Sequence, residues 1–379
     1  MKEMTRFLNA LFLPKATFQA LYTAGQPPVP ARQCGQLLPA TKAWQTTHCI
    51  VSGGTEQERA SVLRSALAND TTPAVVLTIH HGLAGMLGCR TAEADPLAGK
   101  TVTEAAALLQ DAADQLGYAT AEWAFQLSYT LETLQELYGR ITLSDFVSTG
   151  SKALSMQAFE AGDDGAAEAQ CTSAARELER FRLALARCTP KHGGSVAQLL
   201  KAAPMTVLPV RNAAQAALLL QDALDAAQQR IWNNDQKTLL VLDLGGALNR
   251  RQLELLHDQG VSSIVLDEDL PSRAELFQVA ARGLTAGVFF AHQAGAQALS
   301  DFAGRCKKAQ ITTTTGDSCS ESEWGGGPFG LLGNRTTTFS TSTASVLVDE
   351  PLIRPQSIRS LKEGTFYYYE GGRFRCCQF

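Results

Sequence analysis

His48-Cys49-Ile50-Val51-Ser52-Gly53-Gly54-Thr55-Glu56-Gln57-Glu58-Arg59-Ala60-Ser61 reads as an apolar strand, a glycine turn and the start of a helix. Against the phosphate-loop pattern Gly-x-x-x-x-Gly-Lys-Ser/Thr, Gly53 takes the first glycine position and Glu58 the second, with Arg59 at the lysine and Ala60 at the hydroxyl. A working loop needs glycines so that backbone N–H groups converge on phosphate oxygens, a lysine for the outer phosphates, and a hydroxyl for magnesium. The frame of strand, turn and helix is kept here, and the phosphate chemistry is replaced. Taken alone, the segment also suits an ordinary polar turn.

Further along, Ser263-Ile264-Val265-Leu266-Asp267-Glu268 is a buried-strand pattern ending in two carboxylates. In phosphate-loop hydrolases the Asp of such a pair helps hold magnesium, and the Glu orients or deprotonates the attacking water. A strand-end Asp-Glu also arises at helix caps and turns. Asp243, closing the strand Thr238 to Asp243, competes for the magnesium role, but no glutamate follows it, so Asp267 is preferred. Next come the helix Leu276 to Gly283, closed by its glycine, and the apolar strand Ala286 to Gln293, ending in a polar amide. Ala296 to Gly304 reads as one more helix.

This order resembles the type IV secretion coupling proteins of the TraG/TraD kind, relatives of the FtsK/HerA DNA-pumping ATPases. The matches are Gly53 to Ser61, Asp267-Glu268, Arg282-Gly283-Leu284-Thr285-Ala286-Gly287 and Gln293. Asp95-Pro96-Leu97-Ala98-Gly99 is similar to the segment before that family's helical domain. Leu352 to Ile358 and a closing hairpin from Glu363 to Phe374 extend the likeness. The resemblance implies a RecA/FtsK-like α/β fold, a mostly parallel sheet flanked by helices with an inserted all-α domain. It implies Asp267, Glu268 and Gln293 as the catalytic set, vestigial if the ATPase is lost. Gly53, Gly54, Thr55, Arg59 and Ser61 would form the degenerate phosphate loop.

Organisation along the chain agrees. Residues 1–45 form a lead-in, with Phe7, Leu8, Leu11, Phe12, Phe18, Leu21 and Tyr22 at roughly helical intervals before the Pro-rich Gln26 to Pro30. That stripe suits either a core contact or a membrane or partner surface. Residues 46–100 and 204–379 alternate strands and helices, as a parallel sheet requires. Residues 101–203 carry helical periodicity without strand alternation, over Ala105 to Leu116, Ala121 to Tyr138 and Ala174 to Cys188.

With 379 residues, 45% hydrophobic and 18% charged, the chain reads as globular rather than disordered. A net charge of −4 argues against nucleic-acid binding through overall positive potential. The nine cysteines show no Cys-x-x-Cys pair, so neither a zinc site nor a disulfide framework is indicated, and a reducing cytosol fits best. Adjacent Cys376-Cys377 read as ordinary thiols. No apolar run approaches the ~20 residues that span a bilayer, and no signal peptide is visible.

Glu56 and Glu58 set negative charge where an anion would bind. At an effective dielectric of about 20, each like-charge pair at ~4 Å costs on the order of 4 kcal/mol at most. Two features oppose this: Arg59 could bind phosphate bidentately, and Ser61 could supply a hydroxyl from a shifted loop. Among weaker constellations, His80-His81 suits a loop better than a metal pair, since adjacent extended residues point oppositely. Arg176, Arg180, Arg182 and Arg187 are interrupted by Glu177 and Glu179, as on a salt-bridged surface. Gly325-Gly326-Gly327 lack a following Lys-Ser/Thr, the Thr/Ser run Thr336 to Ser345 reads as an edge strand or a loop, and Arg335 as a surface residue or a trans-acting arginine.

The expectation is a non-hydrolysing, coupling-protein-like docking scaffold of a secretion or conjugation apparatus, cytoplasmic or at the inner face of a bacterial membrane. No cofactor is expected, with ATP and magnesium entering only if the atypical loop works. Its partners would be machinery proteins, an active coupling ATPase among them, in a homo- or hetero-oligomer. The alternatives are an active ATP-driven translocase and a DNA-binding accessory protein without turnover.

Overall fold

The computed structural model describes residues 29–30, 38, 46–68, 72–118, 123–148, 176–190, 193–233, 237–321 and 335–379. The stripe from Met4 to Tyr22, most of the lead-in, and Gly325-Gly326-Gly327 lie outside the described residues.

The strands are β1 (Val29–Pro30), β2 (His48–Ser52), β3 (Ala74–Thr78), β4 (Met205–Pro209), β5 (Leu239–Asp243), β6 (Ser262–Asp267), β7 (Leu284–Phe289), β8 (Arg305–Glu321), β9 (Arg335–Pro351), β10 (Thr365–Glu370) and β11 (Arg373–Gln378). Among the described residues a nine-stranded sheet runs β1-β11-β10-β7-β2-β6-β5-β3-β4. From β7 to β4 every neighbouring pair is parallel, while β10 joins β7 and β11 antiparallel. The parallel strands β3, β5 and β6 are buried at every position, the pattern of a sheet covered on both faces. β7 stops at Phe289, short of the expected end at Gln293, because its last sheet contact is made by Phe290 N–H to the Ser52 carbonyl.

The longer helices are α1 (Glu56–Ala68), α2 (Val102–Asp114), α3 (Ala124–Tyr138), α4 (Val196–Ala202), α5 (Ala213–Trp232), α6 (Arg250–Asp258), α7 (Ala274–Ala280) and α8 (Ala296–Ala303), and residues 176–185 are also helical. Their starts follow from sequence. Thr101 with Glu104, and Asn249 with Gln252, form reciprocal capping boxes, and the Asn212 side chain accepts from Gln215 N–H.

The described part of 101–203 is helical apart from its connections, and it builds a core of its own. Trp123, Tyr118 and Phe181 meet there with ring centroids 5.6 to 5.8 Å apart. Ala214, Ala217 and Leu218 of α5 belong to the same core, so α5, buried along most of its length, backs these helices. Contacts divide the chain into two compact units, one of residues 27–299 and 355–379 and the other of 1–26 and 300–354. The helical segment thus shares a unit with the sheet, and the segment set apart is the β8–β9 hairpin. The Thr/Ser run Thr336 to Ser345 lies within that hairpin, in β9. Cys376 and Cys377 lie on β11.

Candidate functional site

The carboxyl ends of β2, β6, β5 and β7 are where a doubly wound sheet presents a ligand crevice. Gly53 follows β2 directly, and its N–H donates to the Asp267 carbonyl at 3.0 Å, so the two sequence-predicted segments meet at one sheet edge. Gly53 and Gly54 both hold left-handed φ, +82° and +64°. A Cβ on Gly53 would come within 2.8 Å of the Ala291 carbonyl, and one on Gly54 within 2.7 Å of the Glu58 carboxylate. Only glycine fits either position.

Helix α1 begins at Glu56, so just Gly53, Gly54 and Thr55 connect it to β2. The positions aligned with the second glycine, the lysine and the hydroxyl therefore lie inside the helix, and the long loop that the motif spacing requires is not formed. The frame of strand, turn and helix is present, with a turn of three residues. The reason is local: Thr55-Glu56-Gln57-Glu58 is a capping box, which nucleates the helix early. Glu58 Oε2 accepts from Thr55 N–H at 2.8 Å and from Thr55 Oγ1 at 3.0 Å, and Glu58 N–H donates to Thr55 Oγ1 at 3.2 Å. The other carboxylate oxygen accepts from Gly364 N–H at 2.8 Å. A carboxylate of the chain thus sits at the positive end of α1, the place that favours an anion.

Arg59 is buried, and its guanidinium folds back to donate to the carbonyls of Gly53 at 3.2 Å and Gly54 at 2.9 Å. Ala60 packs in the core, and Ser61 Oγ donates to the Gln57 carbonyl at 2.8 Å. One carboxylate oxygen of Glu56 is buried with no hydrogen-bond partner.

Asp267 is buried, which pushes its carboxyl up from the ordinary value, and its pairing with Arg273 and the Asp269 amide opposes the shift. Arg273 is anchored in turn on the Gly245 carbonyl at 2.8 Å. Glu268 is exposed and lies 3.8 Å from both the Arg59 guanidinium and His80 Nε2. On its other side His80 Nδ1 meets Asp243 Oδ2 at 2.8 Å, and Thr78 Oγ1 donates to the same oxygen at 2.6 Å. Asp243, the competitor for the magnesium role, is therefore held by its own neighbours, while His81 is exposed in a turn.

Gln293 is not brought to these carboxylates through any contact. Its side-chain amide reaches toward the Arg359 carbonyl at 3.5 Å, and its own carbonyl accepts from Arg359 Nε at 3.2 Å. His292 occupies the inner position instead. Its Nδ1 pairs with Asp269 Oδ1 at 2.8 Å, and its buried Nε2 faces Gly53. Burial would raise Asp269, yet the His292 hydrogen bond and the Gly295 and Ser272 amides hold its carboxyl below the ordinary value.

Sequence reasoning missed Asp269, Arg273 and His292 as part of this edge. They belong to loops after β6 and β7, and no motif marks them. The role of Glu58 was legible, since Ser/Thr-x-x-Glu before an apolar run is a capping signature. Among the described residues no group of three or more His, Cys, Asp and Glu is arranged to hold a metal ion. Arg182 is buried and pairs with Glu179 at 2.7 Å, so the basic run on 176–187 is partly internal. No helix among the described residues is long and apolar enough to cross a membrane.

Solved structures of a bacterial conjugative coupling protein share this fold. The unbound monoclinic form of TrwBdeltaN70 is 14% identical with a TM-score of 0.57, over 94% of this chain and 95% of that one. Its trigonal form in complex with sulphate is 13% identical with a TM-score of 0.58, over 94% and 96%. Plasmid coupling protein TrwB in complex with ADP and Mg2+ is 15% identical with a TM-score of 0.56, over 94% and 95%. No family model and no curated protein matches the sequence. At this identity the likeness establishes the fold alone: the chain shares the architecture of the TrwB structures.

Proposed function

We propose that this chain is a coupling-protein-like subunit of a conjugative transfer or type IV secretion apparatus, acting as a docking scaffold that does not hydrolyse nucleotide. The observation that carries the second half of the reading is Glu58, whose carboxylate takes the amide and hydroxyl of Thr55 at the start of α1. A bound phosphate would have to displace a covalently tethered anion whose local concentration is effectively fixed.

The residues present do not suit a magnesium nucleotide. Arg59 donates Nη1 to both carbonyls of the loop, with Nη2 3.8 Å from Glu268, and Ser61 donates to its own helix. A bidentate phosphate contact would have to pull Nη1 of Arg59 off those carbonyls. The fold supports the first half of the reading, since the TrwB structures named above are coupling proteins of conjugation.

Titration calorimetry with Mg-ADP and Mg-ATP tests the proposal. No heat of binding at millimolar nucleotide is expected, and no phosphate release. Saturable binding, with phosphate release abolished by Glu268→Gln, would replace the scaffold with an active motor.

A further inference from the structure

The amino ends of β2 and β6, at the side of the sheet away from the glycine turn, carry two histidines in contact. His48 opens β2 and His257 lies in the last turn of α6, and their rings meet edge to face with centroids 4.2 Å apart. The backbone is irregular at this point. Between His48 and Cys49 the register against β7 slips, with His48 opposite Leu284 and Cys49 opposite Ala286, and the skipped Thr285 takes the His48 N–H on its hydroxyl at 3.2 Å. A bulge of this kind redirects a side chain where strand pairing begins. His48 Nδ1 meets Ser263 Oγ at 3.0 Å, which ties its ring to β6. Gly260, at a left-handed φ of +61°, turns the chain from α6 towards β6, and its carbonyl accepts from Thr46 Oγ1 at 2.9 Å. The pair thus joins the end of α6 to the first residues of β2 and β6.

Two imidazoles this close tolerate one positive charge between them, whereas a second is repelled, and half-burial penalises each charge further. Burial, and then His257, lowers His48 to about 4. Burial also lowers His257, while the Val279 carbonyl and Asp258 favour its charged form and Arg282 opposes it. Among the described residues Asp258 and Arg282 are the charged groups that act on the pair. The end of a helix favours a cation, so a first proton on His257 is the charge that a second, on His48, must face.

We propose that the His48–His257 contact is an acid-sensitive latch: with both rings neutral it holds the end of α6 against β2 and β6, and a second proton drives the rings apart and frees the stretch 256–263. Because the fold holds both rings neutral, the latch is closed above the ordinary histidine value of about 6.5 and opens as pH falls towards 4. The pair lies at the opposite end of β2 from Gly53, so the latch stands or falls apart from the scaffold reading.

NMR titration of the full chain labelled at histidine reads the coupling directly. In His257→Gln the His48 ring should titrate roughly half a pH unit or more above its wild-type midpoint, because one of its two causes of depression is removed. An unmoved midpoint overturns the proposal. Hydrogen exchange of the wild type gives a reading that does not depend on a variant folding. A ring at about 4 when closed and ~6.5 when free biases opening by up to roughly 80-fold at pH ~4.5. Corrected for the intrinsic rate, protection of 256–263 should therefore fall about tenfold or more between pH ~7.5 and ~4.5, while β5, Leu239–Asp243, keeps its protection. Unchanged protection in 256–263, or an equal loss in β5, also overturns it.

Discussion

Replacing Glu58 by Ala should destabilise the fold by about 2 to 2.5 kcal/mol, from two losses that can be separated. The capping box at the start of α1 contributes ~1 kcal/mol of this, the usual cost of losing a helix cap. The hydrogen bond from Gly364 N–H to the Glu58 carboxylate contributes the rest. A bond to a charged acceptor is worth about 1.5 to 3 kcal/mol, and the lower end applies because Glu58 is only half-buried. Gly364 immediately precedes β10, so the second loss loosens the tie between α1 and the antiparallel edge of the sheet. For a chain of this size the melting temperature should fall by roughly 4 to 10 °C, at ~2 to 4 °C for each kcal/mol. Thermal unfolding followed by circular dichroism measures the sum. The separation comes from Thr55→Ala, which removes the cap hydroxyl and leaves the Gly364 bond. That variant should lose about half as much, and adding Thr55→Ala to Glu58→Ala should cost little more, because the cap is already gone. An unchanged melting temperature in Glu58→Ala, or full additivity of the two variants, would refute the view that this carboxylate fills the start of α1.

Gly54→Ala should destabilise by about 2 kcal/mol or more, read as a shift in urea midpoint, since its left-handed φ costs an L-residue ~1 to 2 kcal/mol and its Cβ would crowd Glu58 and Phe290. Lys100 pairs with the buried Asp222 at 3.0 Å, and burial raises the Asp222 carboxyl with Lys100 opposing. Lys100→Met should therefore cost about 3 to 5 kcal/mol at neutral pH, as breaking a buried pair does. The loss should shrink as pH falls and Asp222 takes up a proton, which a series of unfolding curves at different pH would record. His48 is lowered to about 4 by burial and by His257 beside it. A base depressed in the folded state contributes stability that is present above its unfolded value of about 6.5 and is lost as pH falls toward 4. Melting temperature against pH should be flatter over that window in His48→Gln than in wild type.

What the sequence by itself determined is the layered architecture. Ala74 to Thr78, Leu239 to Asp243 and Ser262 to Asp267 are runs apolar enough to be buried on both faces, and polar caps separate them from the helices between. Burial of such runs requires parallel neighbours joined by helices, so local pattern suffices for the fold class. The meeting of Gly53 with Asp267 was also legible, since both close strands that share one edge of the sheet.

Tertiary structure alone decided what stands at that edge. The strand order sets β6 beside β2 and β7 on its far side, which brings the loops bearing Asp269 and His292 in beside Gly53. It also turns Gln293 away toward Arg359. A motif fixes spacing along the chain, whereas the partner of a side chain depends on which distant loops the sheet sets side by side. The direction of Arg59 is such a case. Its charge suggests a phosphate ligand, and only the three-residue turn before α1 reveals that the carbonyls of Gly53 and Gly54 are within its reach. Where neighbours in sequence supply the interaction, as in the Thr55–Glu58 cap, the outcome can be read from the residues. Where strand order supplies it, the chain must first be folded.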